Sequence, residues 1–194
     1  MTAPYTGLAE IDWTAWIPDW RASLLFISRE REVVLIHKKR GFGKGKINGP
    51  GGRIESGETP RQGAIREVQE EICVTPTDVE ECGELFFQFQ DGFSIHGVVF
   101  RADRFEGELG ETEEADPFWV SHDEIPYDRM WADDVYWLPL VLAGRRFTGR
   151  FLFDGEVMLE HHVEEHSSKI TWLDRRLPLD LRHPETKIND GLRS

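Results

Sequence analysis

Between Thr59 and Ile72 three glutamates, Glu67, Glu70 and Glu71, share a stretch in which Ala64, Ile65, Val68 and Ile72 recur at three- and four-residue steps. That spacing predicts an amphipathic helix, with Thr59 as N-cap and Pro60 in its first turn. Glu67 falls on one face with Glu70 and with Glu71, opposite the apolar stripe. Like charges so placed repel by roughly 0.2 to 0.5 kcal/mol per pair in an isolated helix. A solvated acidic face is the plain explanation. The chemical one is a hard divalent cation, since Mg²⁺ takes a few carboxylates and leaves other positions to water and phosphate oxygens.

The rest of the chain alternates β patterns with two helical segments. Runs 22–27 and 33–37 predict a hairpin, followed by a glycine-rich loop from Gly41 to Gly52. Residues 83–90 and 93–101, joined across Asp91-Gly92, predict a second hairpin, and 147–153 with 156–163, across Asp154-Gly155, a third. Residues 117–120 form a short strand, and Asp133 or Asp134 caps a helix that Gly144 stops after Ala143. Trp13, Trp16 and Trp20 have helical spacing, but Pro18 interrupts it. The result is an α+β chain with an N-terminal extension over 1–20, a central domain over 21–164 and a C-terminal extension over 165–194, in which Trp172, Leu173, Leu177, Leu179 and Leu181 are scattered.

Charge limits the partners. The 194 residues carry a formal net charge of −13, which opposes binding to a nucleic-acid polymer. Against that background, His37 to Arg53 holds Lys38, Lys39, Arg40, Lys44, Lys46 and Arg53 with no acidic residue, a candidate cationic rim for a small polyanion. Cys73 and Cys82 form no disulfide framework, and no apolar run approaches a membrane span. A cytoplasmic protein without membrane contact, monomer rather than dimer, is expected.

The acidic helix lies within a longer register: Gly52, five residues, Glu58, seven residues, Arg66-Glu67-Val68, one residue, Glu70-Glu71, then Cys73 and Val74. This resembles the Nudix signature G-x5-E-x7-R-E-U-x-E-E-x-G-U, where U is bulky and aliphatic. Only Cys73 departs, standing where the signature has Gly. A left-handed helix end there costs a Cys about 1 kcal/mol. The resemblance implies a Nudix fold, a mixed β-sheet sandwiched between α-helices. It implies Mg²⁺, with Mn²⁺ able to substitute, held by Gly51, Glu67, Glu70, Glu71 and Glu114. Gly52, Glu58 and Arg66 become structural, the last two as an ion pair. Proton transfer falls to Glu70, Glu71 or Glu114, with Glu113 the near rival of Glu114.

Outside the box, Lys38 to Gly43, Asn48 to Gly52, Met130-Trp131, Asp133-Asp134 and Tyr136-Trp137 are similar to the animal oxidised purine nucleoside triphosphatases of that family. The similarity spans residues 21 to 164 and places substrate against Lys38, Phe42, Asn48, Phe87, Trp131, Asp133 and Asp134. Trp131 offers a stacking face, worth about 1–3 kcal/mol in single-strand binders. Two adjacent carboxylates need not both ionise, so together they can donate and accept, as the Asn48 amide does. Pro50, Ile47 and Ile95 depart from this pattern. The implied reaction is hydrolysis of 8-oxo-dGTP- or 2-oxo-dATP-type triphosphates to a nucleoside monophosphate and pyrophosphate, for nucleotide-pool sanitation and so DNA repair. Two alternatives stand beside it: a Nudix hydrolase of a dinucleotide, nucleotide sugar or capped RNA, and a non-catalytic nucleotide sensor.

Overall fold

The computed structural model describes residues 5–166; the tail containing Trp172 and Leu173 to Leu181 lies outside them. In chain order the elements are β1 (Trp20–Arg29), β2 (Glu32–Lys38), β3 (Ile47–Asn48), β4 (Gly51–Arg53), α1 (Pro60–Ile72), β5 (Thr75–Thr77), β6 (Glu80–Phe89), β7 (Ser94–Ala102), β8 (Arg104–Glu106), β9 (Ala115–Ser121), α2 (Asp134–Leu142), β10 (Arg146–Asp154) and β11 (Val157–His166). The main sheet runs β11-β10-β6-β7-β1-β2-β3, with β4 on β1 and β9 on β2. It is mixed: β1 with β7 and β6 with β10 are parallel, the other pairs antiparallel. The domain boundaries expected at 20/21 and 164/165 fall inside β1 and β11.

Two expected hairpins, β6-β7 and β10-β11, form as their turns require. The first does not form as drawn. β1 and β2 share only the registers Ser28↔Val33 and Arg29↔Glu32, after which β1 leaves to pair with β4 and β7, and β2 with β9. Its apolar run is continuous because both faces of β1 are buried, as in interior parallel strands.

Period-two alternation divides the core into layers. Leu25, Ile27, Val34, Ile36, Val98 and Phe100 face α1, where Ala64, Val68 and Ile72 meet them. Phe26, Leu35, Leu85 and Phe151 face the other way, onto Trp137, Leu138 and Val141 of α2. The sheet is thus sandwiched between helices, in agreement with the sequence. Before β1, Leu8 and Ile11 pack on Leu152, while Trp13 and Trp16 set their rings against Phe86. Trp20 belongs to β1, so the three tryptophans share no helix. Among the described residues no helix is long and apolar enough to cross a membrane.

Thr59 and Gln62 cap α1 reciprocally, with Gln62 N donating to Thr59 Oγ1 at 3.3 Å and Thr59 N to Gln62 Oε1 at 2.9 Å. Pro60 opens the first turn. At the far end Cys73 takes the left-handed conformation, φ 65° and ψ 15°, and its N–H donates to the Gln69 carbonyl at 3.1 Å. The departure from Gly leaves the helix end unchanged in shape and puts its cost into backbone strain. Cys73→Gly should therefore stabilise the protein by up to about 1 kcal/mol, less the entropy that Gly adds to the unfolded chain. A urea midpoint that rises without a change in slope is the expected result; a falling midpoint would show that the Cys side chain contributes more than its backbone costs.

Candidate active site

Arg66 organises the acidic helix. Its Nε and Nη2 grip Glu58 at 2.8 and 3.0 Å, Nη2 also donates to the Arg53 carbonyl at 3.0 Å, and Nη1 reaches Glu67 at 2.9 Å and Glu70 at 3.0 Å. The loop before α1 is thereby fastened to the helix by a fork of charge-assisted bonds. The Arg66 guanidinium holds the Glu58 carboxyl below the usual carboxylate range.

Glu71 corrects the simple amphipathic picture. It lies on the buried side of α1 with no exposed surface, not on a solvated face. Gly51 N donates to its Oε2 at 2.8 Å, and the Lys38 ammonium bonds both its Oε1 and, at 3.3 Å, the Gly51 carbonyl. Burial pushes the Glu71 carboxyl up while Lys38 pulls it down; Glu67 is likewise raised by burial and lowered by Arg66. Two glycines make this approach possible. A Cβ on Gly51 would stand 2.2 Å from the Ser23 carbonyl oxygen, and one on Gly52 would stand 2.5 Å from Glu67 Oε2.

A cavity of about 450 Å³ opens on the α2 side of the sheet and runs to this acidic edge. Gly51, Gly52, Glu67, Lys38 and Glu114 line one end; Asn48, Trp131, Asp133 and Asp134 line the other, with Phe42 and Phe87 between. Of the expected ligands, Glu70 and Glu71 are not on the cavity wall: Glu70 turns outward on Arg66, and Glu71 sits behind Gly51. Among the described residues no group of three or more His, Cys, Asp or Glu side chains stands close enough to hold an ion in this conformation. Chemically the set still suits one. The four carboxylates of Glu58, Glu67, Glu70 and Glu71 share two cations, Arg66 and Lys38, so two negative charges go uncompensated beside oxygen donors of the kind Mg²⁺ prefers.

The cationic rim is mostly spoken for. Lys39 pairs with Glu111, Arg40 with Glu113 at 2.7 Å and Lys46 with Glu156 at 3.0 Å. Lys38, Arg40 and Arg53 reach the cavity. Lys46 also stands 4.8 Å from the Trp131 ring centroid, and Phe42 stacks on Trp131 at 5.1 Å and 10°.

Asp133 and Asp134 are 3% and 6% exposed, values that leave no room for capping by solvent. Asp133 stands at the N-cap of α2, but its carboxylate makes no cap bond and accepts from Trp137 Nε1 at 2.8 Å. Asp134 accepts from Trp131 N at 2.9 Å. Burial raises the Asp133 carboxyl to about 6, and burial together with the charge of Asp133 raises Asp134 well above the ordinary range.

Sequence reading missed Trp20, Phe89, Trp137 and Phe153 as cavity residues. Phe89 stands two places after Phe87 on one strand, so period-two alternation could have found it. Trp20 had no such signal.

A family model described as the NUDIX domain matches residues 18–141. The chain is 43% identical to the oxidized purine nucleoside triphosphate hydrolase of Danio rerio over 145 residues, 74% of this chain and 93% of that protein. It is 37% identical to the Mus musculus protein of the same name, covering 75% of this chain and 95% of that one. A mutator MutT protein from Bacillus halodurans superposes with a TM-score of 0.68 at 26% identity, covering 75% and 97% of the two chains.

Because burial raises the Asp133 carboxyl, the folded protein keeps a proton that the unfolded chain releases. Its contribution to stability is complete below the unfolded value of 3.8 and is lost as pH rises through about 6. Asp133→Asn, which can still accept from Trp137, should be more stable than the parent at about pH 8, with the gap closing near pH 4. Urea melts across that range measure it; a gap that does not vary with pH would contradict the assignment.

Proposed function

The chain belongs to the Nudix family, and from that premise we propose that it is a Mg²⁺-dependent hydrolase of oxidised purine nucleoside triphosphates, releasing a nucleoside monophosphate and pyrophosphate. One observation carries the substrate reading: a single cavity joins the acidic edge at Glu67 to the buried Asp133–Asp134 pair beside Trp131 and Asn48. A proton shared by the pair lets it donate and accept along one edge of a purine, and the Asn48 amide offers the same duality. Trp131 supplies the stacking face.

Nudix hydrolases use divalent metal ions; here Glu67 with the Gly51 carbonyl, and Glu70 and Glu71 once released from Arg66 and Lys38, are the donors we assign to Mg²⁺. Bound there, a divalent ion would supply charge neutralisation on the phosphates and a lowered pKa for a bound water. Arg40 holds phosphate oxygens at the cavity mouth, whereas Lys38 is already paired with Glu71. Among the three candidate bases, Glu71 has both oxygens engaged and Glu70 points away, whereas Glu114 lines the cavity and makes no ion pair among the described residues. We assign the proton to Glu114. Glu113, 81% exposed on Arg40, is the natural control.

Pyrophosphate release from 8-oxo-dGTP, 2-oxo-dATP and the four ordinary dNTPs should rank the oxidised purines first; equal rates across the panel would remove the sanitation reading and leave another diphosphate substrate. Glu67→Gln should lower kcat by on the order of a hundredfold, the scale on which metal sites respond to loss of a supporting group. Glu114→Gln should lower kcat by on the order of a hundredfold or more, the scale of a lost general base, while Glu113→Gln leaves kcat within about twofold. An unchanged kcat in Glu114→Gln would return the base role to Glu70 or Glu71.

A further inference from the structure

Six rings close a circuit, five of which, all but Phe93, line the cavity. Trp131 stacks on Phe42 at 5.1 Å, Phe42 meets Trp20 at 6.4 Å, Trp20 meets Phe93 at 5.0 Å, Phe93 meets Phe89 at 5.7 Å, Phe89 meets Phe153 at 5.6 Å, and Phe153 returns to Trp131 at 6.2 Å. Phe42 also crosses the circuit to Phe89 at 6.2 Å. Its ring covers one face of Trp131, the side chain that offers a base its stacking surface. Behind it stands Trp20, edge-on at 72°, with the Arg53 guanidinium 5.1 Å from its own ring centroid.

Trp20 is held there by the chain that precedes it. Asp19 N donates to Ser94 Oγ at 3.1 Å, and Ser94 N and Oγ donate to Asp19 Oδ2 at 2.8 and 2.9 Å. Trp16 Nε1 donates to Gln88 Oε1 at 2.9 Å. The parallel register then sets Trp20 beside Ile95, itself a cavity residue. Such fixing is more than a loose extension needs, and it delivers one large ring to the cavity wall.

We propose that Trp20 is a substrate-binding residue: it forms the outer aromatic wall of the base pocket, so that a planar nucleobase on Trp131 is clamped through Phe42 against Trp20. The N-terminal arm then belongs to the specificity pocket. This rests on the cavity's taking a nucleobase, as read above. A base entering on Trp131 displaces Phe42, and Trp20 limits how far that ring can retreat; without Trp20 the clamp opens and the base is held on one face only.

The test is steady-state kinetics of Trp20→Ala and Trp20→Phe on whichever nucleoside triphosphate the wild type turns over fastest, with calorimetric binding of the corresponding monophosphate. Trp20→Ala should raise KM and the monophosphate Kd about tenfold, on the scale of an aromatic contact to a base, with kcat within about twofold, and Trp20→Phe should restore most of the loss. If Trp20→Ala fails to fold by near-UV circular dichroism, Trp20→Leu keeps the apolar bulk and gives the same comparison. A folded variant with KM and Kd unchanged, or a loss confined to kcat, overturns the proposal. Failure of the purine reading shows separately, as a wild-type panel without base preference.

Discussion

The buried Glu71 carboxylate is the constraint around which the acidic edge is built. An ionised group without water is tolerated only when its lone pairs are filled, and removing a partner from such a group is far costlier than the pair is worth in net stability. Here the partners come from two other strands: the Gly51 N–H of β4 and the Lys38 ammonium at the end of β2. Satisfying one side chain thus fixes α1 against β4 and β2 together. Gly51 can approach only because it lacks a Cβ, which would collide with the Ser23 carbonyl of β1. Helix, loop and two strands are consequently positioned by the same few contacts that bring Glu67 to the cavity.

The same sheet serves the two ends of the cavity by different means. At the acidic end, charge is arranged by backbone approach and by the Arg66 fork. At the far end, aromatic packing does the work: Trp137 is buried against Phe26 and Phe147 and donates to Asp133, so the core itself orients the carboxylate. Both ends keep carboxyl groups raised by burial, which disfavours ionisation locally. The large apolar clusters on either side of the sheet offset that cost.

What the sequence disclosed follows from how local each signal is. α1 was legible to its caps, because Thr59, Pro60 and Gln62 act within a single turn, and the β6-β7 and β10-β11 hairpins were legible from their Asp-Gly turns. The β1-β2 hairpin forms but is only two residue pairs long, because the rest of β1 pairs with β4 and β7, which lie far off in sequence, and an apolar run does not say which neighbour it will bond. The register of Gly52, Glu58, Arg66 and Glu67 revealed the acidic edge, and Asn48, Trp131, Asp133 and Asp134 do line the cavity. Hidden were the contacts made by tertiary approach: Lys38 on Glu71, which buries a glutamate that helical spacing puts on the wet face, and Glu70 turned out on Arg66. Trp20 was unreadable for the same reason, since only the parallel pairing of β1 with β7 carries it to the cavity wall.

Charge sets the remaining problem, how a protein of net charge −13 admits a polyanion to an edge rich in carboxylates. The basic segment from His37 to Arg53 does not act as a free cationic patch, because Lys39, Arg40 and Lys46 each lean on a glutamate. Their glutamates are exposed, and of the three cations Arg40 is the most exposed; an exposed pair holds its partner by about a kcal/mol or less. Arg40, 61% exposed and on the cavity wall, can therefore trade Glu113 for a phosphate at little cost, whereas Lys38, 12% exposed against a wholly buried Glu71, cannot. The rim thus divides into cations that are structural and cations that are available, and burial decides between them. A like-charged substrate is met by the available ones only after it enters the short range where screening by salt no longer dominates, so electrostatic attraction here acts at the mouth of the cavity and not across the surface of the protein.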